Sequence, residues 1–313
     1  MQLIRHIGDL PFDVVAGGSA VTIGSFDGLH LGHERLLGQL KGLSADLGAP
    51  SVVMSFEPTP KEFFQADKPP ARLMRFREKF HALRERGVDI FYCPRFSKSM
   101  REIPAGDFIR RILVHGLNAR VLIVGDDFRF ARRREGGIDE LYRASRALGF
   151  VVEQVPNVIV DNACVSSTAI RAACEAGDML RATALLGRPY RMSGRIIRGD
   201  EVGRTLGFPT ANVDLRRRQS AVIGVFAVRV HGLGDTVRDG VASVGSRPTF
   251  DGTKPILEVY VFDFSDDIYG KYIDVDFIAY LRDQEKYERV EDLVAQMHVD
   301  ADNARSILAD SAA

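Results

Sequence analysis

The chain has 313 residues, and its 42 basic and 42 acidic side chains leave no formal net charge. This balance calls for no polyanion-binding surface, so we expect no nucleic-acid partner, and the length predicts two domains with separate cores. Three scattered cysteines argue against a disulfide framework or a cysteine zinc site. Because no apolar run approaches about 18 residues and no signal-peptide pattern is present, we expect a cytoplasmic protein without a membrane segment.

The first clear pattern is a strand, a tight turn and a helix start. An apolar run ends at Gly24, a turn containing Phe26 and Asp27 follows, and a helical pattern begins with His30 and His33 at its threshold. The first-turn N–H groups of a helix lack intrahelical partners, so phosphates bind readily there, and two imidazoles would add donors. The alternative is a pair of surface histidines beside a loop.

Strand-like and helix-like patterns then alternate up to about residue 156. This alternation predicts a parallel sheet with helices on both faces and ligands at the carboxyl ends of its strands. The predicted strands are 51–56, 88–92, 119–124 and 150–155, and the predicted helices are 72–86, 105–115 and 140–148.

Three loops at predicted strand ends could contribute to a site. Two prolines stiffen the loop 56–60, which is otherwise an ordinary turn. Arg132–Arg134 form a cluster that could grip phosphates or could simply be solvated. In the third loop, Ser166 or Ser167 is a good helix N-cap, but capping leaves a second hydroxyl and Arg171 unexplained.

The second half of the chain changes character at Gly187, where a predicted helix over 178–186 stops. We therefore divide the chain into domains 1–186 and 187–313. Repeated short strands predict an antiparallel barrel, with a helix over 290–308 packed on its outside. The predicted barrel strands are 190–197, 221–231, 237–244, 256–264 and 272–281.

A glycine-rich stretch from Gly194 to Asn212 is the most informative part of the second half. Its glycines permit close backbone approach to a ligand, but no Gly-Lys-Ser/Thr ending follows, so it is not a P-loop. The alternative is a glycine-rich hairpin. From the pattern alone, Glu258 on a later predicted strand is an outward-facing carboxylate.

The motifs of the first half resemble the FMN adenylyltransferase module of prokaryotic bifunctional FAD synthetases, within the nucleotidyltransferase superfamily. The specific part is His-x-Gly-His at 30–33 with Ser-Ser-Thr-x-x-Arg at 166–171. Thr59 departs from a frequent His or Gln, and Ala131 departs from a usual Gly. The resemblance implies ATP contacts from Gly24, Phe26, Asp27, His30, His33, Ser167, Thr168 and Arg171, and FMN contacts from Asp127, Phe128 and Phe130.

The second half resembles riboflavin kinase through Gly-Phe-Pro-Thr-Ala-Asn at 207–212 and the segments 245–250 and 257–260. Tyr260 stands where that family commonly has His. The resemblance implies that Thr210 and Asn212 hold Mg²⁺ and ATP phosphates, and that Glu258 is the catalytic glutamate. Gly194, Gly203 and Gly207 complete the implied ATP-binding set.

Together the two resemblances predict an enzyme that phosphorylates riboflavin with ATP and then adenylylates FMN with ATP. The second reaction needs no protein nucleophile. Because a helix N-terminus disfavours a positive imidazole, His30 and His33 are expected as neutral donors unless bound phosphate raises their pKa. One alternative is a riboflavin kinase with a degenerate adenylyltransferase module. Another is a non-catalytic flavin or nucleotide carrier whose arginine clusters, 132–134 and 216–218, bind a polyanion. The sequence does not decide self-association.

Overall fold

The computed structural model describes residues 1–9, 12–199, 203, 206–249 and 252–310. It divides into two compact units, one formed by Met1–Pro70 with Met74–Val165 and the other by Ala71–Leu73 with the chain from Ser166 onward. The motif positions 200–202, 204–205 and 250 lie outside the described residues. The domain boundary after residue 186 stays a prediction.

Within the described residues, the first unit contains a six-stranded sheet in which every pairing is parallel. The strands are β1 (Gln2–Ile4), β2 (Ser19–Ile23), β3 (Ser51–Met54), β4 (Ile90–Tyr92), β5 (Ala119–Gly125) and β6 (Val151–Val155). Their order is β1-β4-β3-β2-β5-β6, so the chain reverses direction across the sheet between β2 and β5. Such a switch point leaves a crevice at the carboxyl ends of the two strands, where ligands bind in open α/β sheets.

Helices cover both faces of this sheet, as predicted. Val21 and Val52 belong to one buried cluster, and their neighbours Ala20 and Val53 belong to the other, because successive strand residues point to opposite faces. The helices of the unit are α1 (Phe12–Val15), α2 (Leu31–Leu47), α3 (Pro60–Phe64), α4 (Phe76–Glu85), α5 (Lys98–Arg101), α6 (Ala105–Asp107), which continues as a π-helical segment (Phe108–Val114), and α7 (Ile138–Leu148). Two short strands, β7 (Ile159–Val160) and β8 (Ala163–Cys164), form a separate hairpin.

The helix predicted at 72–86 was wrong at its start, because α4 begins at Phe76. The buried Arg217 guanidinium donates to the carbonyls of Arg72, at 2.5 Å, and Leu73, at 3.4 Å, which holds that segment outside the helix. The Glu78 carboxylate then accepts the N–H of the N-cap residue at 2.6 Å. Tertiary contacts thus override the local helical pattern.

In the described part of the second unit, six strands close into an antiparallel barrel, as predicted. Helix α8 (Ser167–Glu175) and helix α9 (Met179–Leu186) precede the barrel, and α9 ends at Gly187 in the left-handed conformation, with φ +75°. The strands are β9 (Tyr190–Ile197), β10 (Thr210–Asp214), β11 (Gly224–His231), β12 (Arg238–Thr249), β13 (Gly252–Val261) and β14 (Tyr272–Arg282), in the closed order β10-β13-β12-β11-β14-β9.

The C-terminal helix, α10 (Val290–Asp310), packs its buried Ala301, Ala304 and Leu308 against the barrel. Strand β10 was not predicted, and β12 runs five residues beyond the predicted 237–244. The register of β10 on β13 places Asn212 opposite Glu258. The strand that sequence analysis missed therefore carries two of the predicted kinase residues.

The loop after β5 contains a backbone conformation that suits glycine. Ala131 has φ +64° and ψ −170°, a region that is essentially restricted to glycine and costs an L-residue on the order of 1–3 kcal/mol. This is the position where the resembled family usually has Gly. Arg133 and Arg134 follow with φ +51° and +58°, so the strain extends along the loop.

We predict that Ala131→Gly stabilises the protein by about 1 kcal/mol, because relief of strain exceeds the glycine entropy cost of about 0.5–1 kcal/mol. Thermal unfolding should then shift upward by about 2–4 °C. The matched control is Ala144→Gly in α7, where the same change should destabilise by about 0.5–1 kcal/mol. Equal losses for the two variants would refute the strain assignment.

Candidate active sites

The turn between β2 and α2 has an unusual backbone. Phe26 and Leu29 have φ of +48° and +44°, and Gly28 has φ +90°. Both non-glycine side chains are fully buried, so packing holds them in a conformation that L-residues rarely adopt. Such conformations persist only where the surroundings fix them, and they cluster at functional sites.

The turn delivers two stacked imidazoles to the start of α2. His30 is the N-cap residue, and its Nδ1 accepts the backbone N–H of His33 at 3.4 Å. The two rings stack with centroids 3.7 Å apart. A Cβ on Gly32 would come within 3.2 Å of the His30 ring, which explains the glycine in His-x-Gly-His. Since Nδ1 of His30 accepts a hydrogen bond, its neutral form carries the proton on Nε2.

Burial keeps both imidazoles neutral. Desolvation lowers the pKa of His30 to about 4, although the negative charges of Asp27 and Glu34 oppose the shift. The pKa of His33 lies well below its usual value, first because of burial and then because of His30 and the Lys79 cation. These lowered pKa values agree with the expected neutral state, with burial as their main cause, and the donor role of the pair stays a prediction.

The other predicted ATP residues of this turn have local partners. A Cβ on Gly24 would lie 3.1 Å from the Phe26 ring, which folds back over it. Asp27 is 6% exposed, and its Oδ1 accepts the backbone N–H of Met74 at 2.9 Å. Phe26 also packs on His33, with ring centroids 4.9 Å apart. The turn therefore forms one packed group at the carboxyl end of β2.

The loop after β5 lies at the same sheet edge, because β5 pairs with β2. Asp127 is exposed there, and Phe128 is half-buried. Phe128 stacks on Phe130, with centroids 5.6 Å apart, whereas Phe130 is only 6% exposed and packs on Phe108. Phe130 thus supports the loop from the core, and Asp127 and Phe128 are its accessible members.

Sequence analysis missed an aromatic cluster near the ends of β3 and β4. Phe96 contacts the rings of Phe56, Phe63 and Phe64. Phe64 is 60% exposed. Thr59 caps α3, since its hydroxyl accepts the N–H of Glu62 at 3.4 Å while the Glu62 carboxylate accepts the Thr59 N–H at 2.8 Å.

Helix α8 of the second unit carries the other predicted phosphate residues. Ser166 is the N-cap, with its hydroxyl accepting the N–H of Ala169 at 3.2 Å. Ser167 is half-buried and Thr168 is exposed. Arg171 donates from Nε to the carbonyl of Ala71 at 2.6 Å and from Nη1 to that of Ser167 at 3.2 Å. Arg171 thus has structural contacts, and an ATP contact from these residues stays a prediction.

The barrel gathers the kinase candidates on its outer face. Asn212 pairs with Glu258, which pairs with Ser243, so three adjacent strands align these residues. Thr210 pairs with Tyr260 two residues away. Side chains directly opposite on paired strands share a face. Glu258 points outward, as expected from the pattern alone. The segment after β14 and the helix α10 cover this part of the outer face.

The covering segments enclose a cavity of about 590 Å³, a size typical of small-molecule sites. Arg282 is one of its lining residues, and its Nη2 lies 2.7 Å from Oδ2 of the buried Asp300. Hydrogen bonding to Asp300 raises the pKa of Arg282. The lining residues are polar Thr210, Asn212, Ser243, Glu258, Arg282, Gln284, Glu285, Lys286 and Asp300, and apolar or aromatic Leu206, Phe208, Val225, Val241, Tyr260, Tyr287, Leu293 and Met297, with Gly203.

The predicted glycines have different positions. Gly203 lines the cavity, and a Cβ there would lie 2.4 Å from the Phe208 carbonyl oxygen. Gly194 packs on β10 instead, where a Cβ would lie 2.7 Å from the carbonyl oxygen of Asp214. Gly207 has φ +84° and is not among the cavity-lining residues. Close approach to a ligand is thus supported for Gly203, and ATP contacts from Gly194 and Gly207 stay predictions.

We predict that stability falls as pH decreases from about 6.5 toward 4. Both imidazoles have folded-state pKa values below that of the unfolded chain, which therefore binds more protons in this window. Replacing His30 and His33 with Gln should flatten the pH dependence of the free energy of unfolding in this range. Chemical denaturation followed by circular dichroism measures it. Gln at the exposed His115 controls for the loss of an imidazole as such. An unchanged slope in the double variant would contradict the assignment.

Comparison with known proteins matches the two halves separately and then the whole chain. A family model described as FAD synthetase matches residues 14–169, and one described as riboflavin kinase matches residues 186–308. A bifunctional riboflavin kinase/FMN adenylyltransferase of Haemophilus influenzae is 41% identical, covering 98% of this chain and 99% of the relative. That of Escherichia coli strain K12 is 43% identical, covering 97% of each chain.

A solved structure from Streptococcus pneumoniae, described as a macrolide-efflux protein, is 30% identical with a TM-score of 0.81. The match covers 97% of this chain and 98% of that one. Across the residues that the structure describes, no helix combines the length and apolar character needed to cross a membrane. The near-complete match to named relatives shows that the chain belongs to the bifunctional riboflavin kinase/FMN adenylyltransferase family.

Proposed function

We propose that the chain converts riboflavin and ATP to FMN and ADP, and then FMN and ATP to FAD and pyrophosphate. The order and extent of the two family matches support both activities on one chain. The alignment of Thr210, Asn212 and Glu258 around one cavity carries the kinase assignment. The buried, neutral histidine pair at a helix start carries the adenylyltransferase assignment.

The proposed kinase chemistry uses Glu258 as a general base. An alcohol is a poor nucleophile at neutral pH, so the carboxylate accepts the proton of the ribityl hydroxyl as its oxygen attacks the γ-phosphorus. The new P–O bond forms while the bond to ADP breaks, and ADP leaves. The apolar lining residues, including Phe208 and Val241, suit a flavin ring, and the polar lining residues suit phosphates.

The donor set near Glu258 fits Mg²⁺. Among the described residues, no group of three or more His, Cys, Asp or Glu side chains could hold a metal ion. Thr210 and Asn212 offer a hydroxyl and an amide oxygen on the cavity wall, and Mg²⁺ commonly uses few protein oxygens together with phosphates and water. We propose that these two residues hold Mg²⁺, which when bound neutralises phosphate charge.

The proposed adenylyltransferase chemistry needs alignment and no protein nucleophile. The FMN phosphate attacks the α-phosphorus of ATP, and the bond to pyrophosphate breaks as the new P–O bond forms. Neutral His30 and His33 donate N–H groups to phosphate oxygens, and charge that develops on the leaving group is stabilised there. On the family resemblance, Gly24, Phe26, Asp27, Ser167, Thr168 and Arg171 are further proposed ATP contacts.

Aromatic groups at the same sheet edge suit the flavin of FMN. Phe128 and Asp127 are accessible on the loop after β5, and we propose both as FMN contacts. The exposed Phe64, at the end of α3, offers a further apolar face. Phe130 then acts beneath Phe128, as its 6% exposure indicates.

Neither alternative function accounts for as much. Thr59 and Ala131, which motivated a degenerate module, have local explanations in helix capping and loop strain. A polyanion carrier would use the cluster 216–218, but Arg217 is 6% exposed and binds backbone carbonyls. None of Cys93, Cys164 and Cys174 forms a disulfide, which supports the proposed cytoplasmic location.

Two reciprocal variants test the assignment of the sites. We predict that Glu258→Gln lowers FMN formation from riboflavin by about 10²–10⁴-fold, as expected for loss of a general base. The same protein should convert supplied FMN to FAD at the wild-type rate. His33→Ala should instead lower FAD formation by about 10²–10³-fold, as expected for loss of a transition-state donor, and should spare FMN formation.

Each variant carries its own control, because the reaction that it should spare is measured on the same protein by resolving the flavins. Retained FMN formation in Glu258→Gln would exclude Glu258 as the base. An unchanged FAD rate in His33→Ala would exclude the histidine pair.

A further inference from the structure

We propose that Lys79 is a positioning residue of the adenylyltransferase site, which fixes the turn between β2 and α2 through the backbone carbonyl of Ser25. This inference rests on the proposed role of His30 and His33. Neither motif singled out in the sequence includes Lys79, which lies on α4, more than 40 positions along the chain from the histidines.

Lys79 is buried where a lysine is costly. Its exposed fraction is 3%, and its Nζ donates to the Ser25 carbonyl oxygen at 2.5 Å. Lysine is almost never fully buried unless its charge has a partner, because desolvating an ammonium is unfavourable. An apolar residue at this position of α4 would pack at lower cost. The contact with the Ser25 carbonyl is one that an apolar side chain at this position could not make.

The α4 region holds the strained turn from both sides of Phe26. Lys79 binds Ser25, the residue before Phe26, and the N–H of Met74 binds Asp27, the residue after it, at 2.9 Å. The Ser55 hydroxyl also donates to the Ser25 carbonyl oxygen, at 3.3 Å. A backbone with φ +48° at its centre relaxes when such contacts are lost. Relaxation would move the start of α2 and the two imidazoles with it.

Lys79 also acts on the imidazoles through its charge. It contributes to the lowered pKa of His33, after burial and together with His30. The carboxylates of Asp27 and Glu34 act on His30 in the opposite direction. Removing the Lys79 cation would therefore raise the pKa of His33 and extend its protonation to higher pH. Since Lys79 is buried, it acts through the turn and His33 rather than on substrate.

The test is Lys79→Met, which keeps side-chain length and apolar packing but removes the cation and the donor. We expect FAD formation from supplied FMN to fall about 10- to 100-fold, mainly in kcat, because the donors are misplaced. The acid limb of its pH–rate profile should move to higher pH, since the pKa of His33 rises when the Lys79 cation is removed. FMN formation from riboflavin should stay at the wild-type rate.

The matched control is Leu83→Ala, a fully buried position on the same helix whose side chain shares an apolar cluster with Phe26 and Leu29 but carries neither a charge nor a hydrogen-bond donor. It should lower stability by at least as much while leaving the adenylylation pH profile unchanged. If Lys79→Met loses both activities, Lys79→Arg, which keeps the charge and donors, should restore FAD formation at least tenfold over the Met variant.

A wild-type kcat and pH profile in Lys79→Met would overturn the proposal, as would a shifted profile in Leu83→Ala or no recovery with Arg. These outcomes differ from failure of the proposed site itself. In that case His33→Ala would retain FAD formation whatever the behaviour of Lys79.

Discussion

Burial of two stacked imidazoles at the first turn of a helix is the constraint on which the adenylyltransferase half depends. Burial lowers the pKa of both histidines, which favours their neutral forms at a helix start, where unpaired backbone N–H groups already favour phosphate. The geometry requires Gly32 beneath the His30 ring and a left-handed backbone before the helix. Because the turn is strained, its position depends on contacts from other elements, including those of Asp27 and Ser25.

In the second half, the alternation of side chains along β-strands places the kinase candidates on the outer face of the barrel. Residues 210 and 212 alternate with buried Ala211 and Val213, so both polar side chains face away from the barrel core. The partner strand repeats the alternation with Glu258 between Leu257 and Val259. A closed barrel allows little change of register, which keeps Glu258, the proposed base, opposite the proposed metal-binding oxygens. The C-terminal helix and the segment after β14 then convert an outer face into a cavity.

Much of this arrangement could be predicted from the sequence because its signals are local. Glycines placed the end of α9, the His-x-Gly-His motif placed the start of α2, and alternating patterns gave the sheet and the barrel. Strand β10 was missed because it follows a glycine-rich stretch without a boundary of its own. The start of α4 was misplaced because Arg217, far along the chain, binds the carbonyls before it.

Contacts between distant residues explain the site members that sequence analysis did not find. The Arg282–Asp300 pair and the Lys79–Ser25 bond join residues that no spacing rule relates. Phe130 is a predicted ligand contact whose ring proved to be buried, because an aromatic pattern alone does not show which ring faces solvent. The motifs that carry the chemistry could thus be predicted from the sequence, whereas the residues that orient them were found only in the structure.

The most direct test of the central claim, that one chain holds both activities, is to incubate the purified protein with riboflavin and Mg-ATP and resolve the flavins over time. The account predicts that FMN forms first and FAD follows. Accumulation of FMN without FAD would contradict the adenylyltransferase half and favour a degenerate module. Unchanged riboflavin would contradict the whole account and favour a non-catalytic carrier.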